Sequence, residues 1–280
     1  MSSKRPEHLG PPELFYNETE ARKYTSNSHI IQIQNEMSER ALELLALPEG
    51  SESFLLDIGC GSGLSGDVLT ENKHTWIGMD ISEHMLRLAR DHNESEGELV
   101  LQDMGAGCPF RPGVFDGAIS ISAIQWLCHA NSKSENPKKR LHHFFQTLYG
   151  CLSRGSRAVF QFYPENIEQS EFIMQQANQA GFNGGLVVDF PNSSKAKKIY
   201  LVLMTGGMQK LPRALTEEEA QSSHIKNIER RTWNTGRPDN KKPLKGTRAF
   251  IEAKKERMQR QGKEVRPNSK YTGRKRHKKF

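Results

Sequence analysis

The chain has little with which to build a covalently stapled or membrane-embedded protein. Its 280 residues hold four cysteines, Cys60, Cys108, Cys128 and Cys151. No two of them form a C-x-x-C pair, so no zinc site is expected, and cysteines scattered in this way are expected to be free thiols. No apolar run is long enough to span a bilayer, and Met1 to Pro12 is polar, without the apolar stretch of a secretory signal. No membrane association is expected. Apolar residues make up only 35% of the chain, so part of it is expected to stay outside any packed core. There are no internal repeats.

What is present is a strong charge asymmetry. Residues 241–280 hold 16 Lys/Arg against 3 Glu, a charge of +13, which leaves −6 on the first 240 residues for a total of +7. An acidic domain with a basic tail suits a polyanion-binding arm or a nuclear address. The length suits one sizeable α/β domain plus an appendage.

Along the chain, residues 1–13 are expected to lack fixed structure. Asn17 or Thr19 can cap a helix starting near Glu20. Apolar residues from Ile30 to Leu47 recur at helical spacing, and Pro48 ends that helix. A strand–helix alternation follows. Strands are expected at Phe54–Asp57, Thr75–Asp80, Glu98–Gln102, Phe115–Ile121 and Arg157–Phe162. Helices are expected at Leu64–Glu71, from Ser82 to about His92, at Asn136–Leu152 and at Glu168–Ala180. Leu186–Phe190 and Ile199–Met204 are two more strands, joined too tightly for a crossover helix, so they should pair antiparallel. The fold class is therefore α/β: a mostly parallel seven-stranded sheet with a terminal antiparallel pair and a flexible basic C-terminal tail. The domains read as 1–50, an N-terminal flap and helix; 51–207, the ligand-binding α/β domain; and 208–280, a polar linker and basic tail with a charged helix near 248–262.

The most informative stretch is LLDIGCGSGLSG, Leu55 to Gly66. Gly59, Gly61 and Gly63 follow a strand and open a helix, where glycine permits positive φ and close backbone approach to a ligand. Asp57 ends the strand. Gly61, Gly63 and Gly66 also fit the G-x-G-x-x-G dinucleotide fingerprint. Two points count against that reading. The turn already opens at Gly59, and a carboxylate at Asp57 suits a cationic ligand better than a pyrophosphate. Asp80 ends the second strand, some twenty residues beyond the glycines, where a carboxylate can accept from ribose hydroxyls. Asp103, with Met104 beside it, ends the third strand, within reach of an adenine amino group.

DIGCGSG, GMDIS, LQDM and FDGAISISAIQW resemble the successive cofactor motifs of class I S-adenosylmethionine methyltransferases, over residues 54–205. The resemblance implies a Rossmann-like fold and S-adenosyl-L-methionine as cofactor. It places Gly59 and Gly61 at the methionine part, Asp80 at the ribose and Ile81 on the adenine. It further places Asp103 and Met104 at adenine's edge and Ser120 near the amino group. A narrower resemblance rests on PPELFYNETEARKY, ISISAIQWLCHAN, QFYPEN, AGFNGGLVVDFPNS and YTGRKRHKKF. These strings are similar to the eukaryotic family that methylates guanine N7 in 18S ribosomal RNA. It implies 18S rRNA in the pre-40S particle as substrate and a role in small-subunit biogenesis. It also implies a heterodimer with a small zinc-binding methyltransferase activator subunit. The expected location is the nucleus, nucleolus and nucleoplasm, with the cytoplasm as a further compartment.

The chemistry is compatible, because guanine N7 carries an in-plane lone pair and needs no general base. The chain lacks the Asn/Asp-Pro-Pro-aromatic motif of exocyclic-amine methylation and has Ser122, Gln125 and Trp126 instead. Gln125 is expected at a base edge, with Trp126 and Tyr163 as walls of the base pocket. Trp126 fits core packing between Ile124 and Leu127 nearly as well. Phe15, Tyr16 and Tyr24 can form a flap over the cofactor or a segment docked on the sheet. The apolar third strand, expected at the sheet edge, needs a cover. Two other functions stay open: a small-molecule or protein methyltransferase with an unrelated tail, and a mainly non-catalytic ribosome assembly factor.

Overall fold

The computed structural model describes residues 5–48, 50–92, 97–132, 135–193, 196–207, 211–216 and 248–269. Most of the expected linker over 208–247 and the run RKRHKK lie outside the described residues. Two compact units are present. One comprises residues 1–187 and 198–209, the other residues 188–197 and 210–280.

The first unit is organised by a seven-stranded sheet: β1 (Phe54–Ile58), β2 (Thr75–Asp80), β3 (Glu98–Leu101), β4 (Phe115–Ile121), β5 (Leu152–Phe162), β6 (Asn183–Asp189) and β7 (Lys198–Met204). Their order is β3-β2-β1-β4-β5-β7-β6. β1 to β5 are parallel neighbours along that order, and β7 runs antiparallel to β5. The helices are α1 (Pro12–Phe15), α2 (Glu18–Ser26), α3 (Ser28–Leu45), α4 (Leu64–Glu71), α5 (Glu83–His92), α6 (Pro137–Cys151) and α7 (Ile167–Gln179). β3 lies at the sheet edge, as expected, and Leu101 on it is exposed.

Strand alternation splits the core into two layers. Ala158, Phe160, Leu201 and Leu203 face one side with Phe144 and Phe145 of α6. Val159, Tyr200, Val202 and Met204 face the other with Met37, Leu44 and Leu45 of α3. Strands buried on both faces need the near-continuous apolar runs seen here. Asn17, Asn27, Asn136 and Asn166 cap α2, α3, α6 and α7 by accepting from first-turn N–H groups. Ser82 does the same for Met85 in α5.

Gly66 has a packing role. A Cβ there would lie 2.2 Å from Cζ2 of Trp76, which is 1% exposed. The alanine variant would gain about 1 kcal/mol of helix propensity. It would lose more to overpacking against a ring that cannot move. Gly66→Ala should therefore destabilise the unit by roughly 1–2 kcal/mol. Combining it with Trp76→Leu should recover part of that loss in a thermal-melt cycle. Additive effects would show that the collision is not the cause.

The N-terminus departs from expectation. Residues from Arg5 onward are structured, with a 3-10 turn at Pro6–His8 and then α1. The Arg5 guanidinium donates to the carbonyls of Tyr163 and Pro164 at 2.8 and 3.0 Å. His8 Nε2 lies 2.5 Å from Glu165 Oε1, and this hydrogen bond is the main cause that holds the Glu165 carboxyl below its ordinary range. These partners are some 160 residues away in sequence, so local composition says nothing of them.

In the second unit, α8 (Arg248–Arg260) is the charged helix expected near 248–262. Its Arg260 carbonyl accepts from Arg213 N–H, and Leu215 exchanges bonds with Phe190 and Asp189. Among the described residues no helix is long and apolar enough to cross a membrane.

Candidate active site

The carboxyl ends of β1, β2, β3 and β4 meet where the strand order reverses, the usual place for a ligand in an open α/β sheet. A cleft there encloses about 950 Å³ of space free of protein atoms, part of it open to solvent. The N-terminal segment supplies one wall of it.

The floor is the turn after β1. Gly59, Gly61 and Gly63 all have positive φ, at 72°, 55° and 89°. Gly59 also touches the β4 turn, because a Cβ there would lie 2.4 Å from Ala123 Cβ. Gly59 and Gly61 line the cleft. Gly63 does not, and serves instead as the left-handed residue that opens α4.

Asp80 holds this turn in place. Its Oδ2 accepts from Gly61 N–H at 2.9 Å and its Oδ1 from Ser82 N–H at 2.8 Å. Burial raises its pKa and the backbone donors oppose the rise. Asp80 and Ile81 both line the cleft. Asp57 lies beneath the turn and is fully buried, outside the lining. Its Oδ2 accepts from Ser65 Oγ at 2.5 Å, while Oδ1 has no hydrogen-bond partner. Burial pushes this carboxyl up to about 7.

On the far side, Asp103 and Met104 line the cleft. Asp103 Oδ1 accepts from Gly105 N–H at 2.8 Å and so caps the short turn at Met104–Ala106. Arg140 of α6 donates to both carboxylate oxygens, at 2.9 and 2.8 Å.

The three residues expected to act on the acceptor base are not brought together. Trp126 lines the cleft, in a cluster with Phe15 and Tyr16 at 5.9 Å between ring centres. Gln125 turns inward, where its Nε2 donates to Ser122 O at 2.8 Å and its Oε1 is buried without a partner. Tyr163 stands apart from the cleft, its hydroxyl on Met37 Sδ and Lys198 over its ring. Ser120 is also absent from the lining. Period two along β4 puts it on the face of Ala118, and its Oγ is buried without a partner. Ser122, two residues on, lines the cleft in its place with a left-handed φ of 57°.

Tyr16 and Tyr24 join the lining, so the N-terminal segment is both docked and a wall. Ser82 Oγ donates to the Tyr16 carbonyl at 2.9 Å and ties this wall to the β2 end. Gln34, Met85, Asn131 and Arg140 also line the cleft and were not foreseen from the sequence. One signal for Arg140 was available. Lys138, Lys139 and Arg140 occupy the first turn of α6, the end of a helix dipole that disfavours cations. A cation there calls for a carboxylate partner.

The two carboxylates in the described lining, Asp80 and Asp103, are already engaged by backbone N–H groups and by Arg140. Burial raises the Tyr16 and Tyr24 phenols and, with Asp57 and Asp80, the Cys60 thiol, so each holds its proton at neutral pH. What remains is a glycine cradle, two partly buried carboxylates, Asp80 and Asp103, apolar side chains of Ile81 and Met104 and an aromatic wall. That set fits a ligand carrying positive charge, vicinal hydroxyls and a flat base. It fits S-adenosylmethionine, with the carboxyl of Asp57 behind Ser65, which lines the cleft.

The chain matches a methyltransferase domain model over residues 56–160 and a model described as "Methyltransferase involved in Williams-Beuren syndrome" over residues 203–278. It is 58% identical to a Mus musculus 18S rRNA (guanine-N(7))-methyltransferase over 99% of both chains. It is 50% identical to the Saccharomyces cerevisiae 18S rRNA (guanine(1575)-N(7))-methyltransferase, again over 99% of both. Among solved structures, the magnesium protoporphyrin IX methyltransferase of Synechocystis with bound cofactor superimposes with a TM-score of 0.52. It is 15% identical and covers 74% of this chain and all of that one, a likeness of fold alone. A Haemonchus contortus phosphoethanolamine N-methyltransferase gives the same TM-score at 16% identity, over 69% of this chain and 58% of that one.

Proposed function

The chain belongs to the 18S rRNA (guanine-N(7))-methyltransferase family, and from that premise we propose that its cleft transfers a methyl group from S-adenosylmethionine to N7 of a guanosine in 18S rRNA. The observation that carries this reading is a cleft with an aromatic wall whose two carboxylates, Asp80 and Asp103, are held by backbone N–H groups and Arg140 rather than left free to take a proton. S-adenosylmethionine supplies an activated methyl group on a sulfonium. The chain's residues have to hold it, align the acceptor and keep water out. Gly59 and Gly61 would give backbone approach, Asp80 would accept from the ribose, and Ile81 and Met104 would lie against the base that Asp103 would read. Trp126, backed by Phe15 and Tyr16, offers the flat face for the guanine. Guanine N7 gives up no proton in the attack, so no free base is required. Gln125 and Tyr163 lie outside the lining and have no direct part in this reading.

The basic C-terminal tail is read as a phosphate-binding arm that adds affinity without base choice, and as a nuclear address. The exposed edge of β3 is read as the seat of a small zinc-binding activator subunit. A role in small-subunit biogenesis in the nucleus follows from this substrate.

The deciding experiment maps N7-methylguanosine in 18S rRNA from cells with and without the protein, then with an Asp80→Ala copy. One guanosine should lose its mark in the second and third cases. An unchanged methylation map would remove this reading and favour the non-catalytic assembly factor.

Cofactor binding should expel part of a proton. Because the Asp57 carboxyl titrates near 7 in the folded chain, above its ordinary range, it stabilises the fold below about pH 4 and loses that contribution as pH rises through 7. A cation seated above it favours the ionised form. Binding at pH 7 should therefore release a fraction of a proton, and affinity should rise between pH 6 and 8. Calorimetry in buffers of different ionisation enthalpy measures this. Asp57→Asn should release none, and a wild-type chain that releases none would refute the coupling.

A further inference from the structure

We infer that Arg140 is a positioning residue that makes the cofactor site selective for a 6-aminopurine, acting through Asp103; this rests on the reading that Asp103 meets the adenine edge. A carboxylate offers about four acceptor positions. Three are already taken: Gly105 N–H and one Arg140 contact fall on Oδ1, and a second Arg140 contact falls on Oδ2. One position remains, on the oxygen not bound by the turn. The carboxylate therefore cannot rotate to suit its ligand. It can accept from an amino group at purine C6, and it repels a carbonyl oxygen at the same place.

Arg140 is itself built into this position. It is mostly buried, at 17% exposure, and its Nη1 lies 3.3 Å from Glu135 Oε2. Glu135 in turn accepts from Asn131 N–H at 2.9 Å. Its guanidinium occupies the space a side chain at residue 105 would need, because a Cβ on Gly105 would lie 2.4 Å from Nε and 2.5 Å from Nη2. The glycine, the arginine and the aspartate thus form one unit, drawn from the end of β3 and the first turn of α6. Arg140 and Asn131 both line the cleft, so the unit faces the ligand.

The test titrates the full-length chain with S-adenosylhomocysteine and with its 6-oxo analogue, S-inosylhomocysteine. The wild type should prefer the amino form by at least about thirtyfold. In Arg140→Met that ratio should fall to about threefold or less, mainly through weaker binding of the amino form. Arg140→Lys keeps one donor nitrogen for Asp103 but loses the Nη1 that reaches Glu135, and should give an intermediate ratio. It decides the matter if the methionine variant does not fold. An unchanged ratio in the folded variants overturns the role of Arg140. Asp103→Asn separates this from its premise, since it should erase the preference or invert it. If the wild type shows no preference, or Asp103→Asn retains it, the placement of adenine at Asp103 is what fails.

Discussion

Replacing Asp80 with alanine is expected to weaken S-adenosylmethionine binding by roughly a hundredfold, the largest loss any single cofactor residue should produce. Two effects add. The variant loses a charge-assisted contact to the ribose hydroxyls, worth about 1.5–3 kcal/mol. It also leaves Gly61 N–H and Ser82 N–H, now held at 2.9 and 2.8 Å, without their acceptor. The glycine turn then has no clamp, so the cradle loosens as the contact disappears. Asp80→Asn keeps the shape and one carbonyl acceptor and should lose only about tenfold. Calorimetry on chains whose melting has been checked measures both. An Asp80→Ala chain that binds within threefold of wild type would remove Asp80 from the ribose.

The same residue shows what was legible in the sequence. Asp80 closes a strand whose bounds, Thr75–Asp80, follow from local pattern alone, as do Phe115–Ile121 and the helix Leu64–Glu71. Positive φ at Gly59, Gly61 and Gly63 was equally readable, because glycine clusters after a strand have few other uses. The acceptor side was not. Gln125 and Trp126 sit in a 3-10 turn, Ile124–Cys128, whose three-residue period matches neither the strand nor the helix pattern, so their directions could not be read. Ser120 was given to the ligand by its place in a motif, yet strand parity points it into the core and the turn after β4 presents Ser122 instead. Arg5 and Arg140 owe their roles to partners 158 and 37 residues away, a relation that no local window contains.

The second large effect concerns the open edge of β3. Gln102 N–H donates to Asp80 O at 2.9 Å, so it points toward β2. Alternation along a strand then turns Leu101 N–H away from the sheet, and the Leu101 side chain is 58% exposed. A partner strand added to this edge would accept from that N–H and lie against that side chain. Leu101→Pro removes the donor and places a ring where the partner backbone must approach. Together these should cost about 3 kcal/mol or more, a loss of at least a hundredfold in affinity for the proposed activator subunit. The β2–β3 bonds are untouched, so the melting of the chain alone should change little. Val100→Pro serves as the contrast: its N–H points inward by the same alternation, and it should damage the sheet itself. Pull-down and calorimetry with the activator subunit, beside a melt of each variant, separate the two cases. Wild-type affinity in a folded Leu101→Pro chain would show that the partner docks elsewhere and leave the exposed edge of β3 without an occupant.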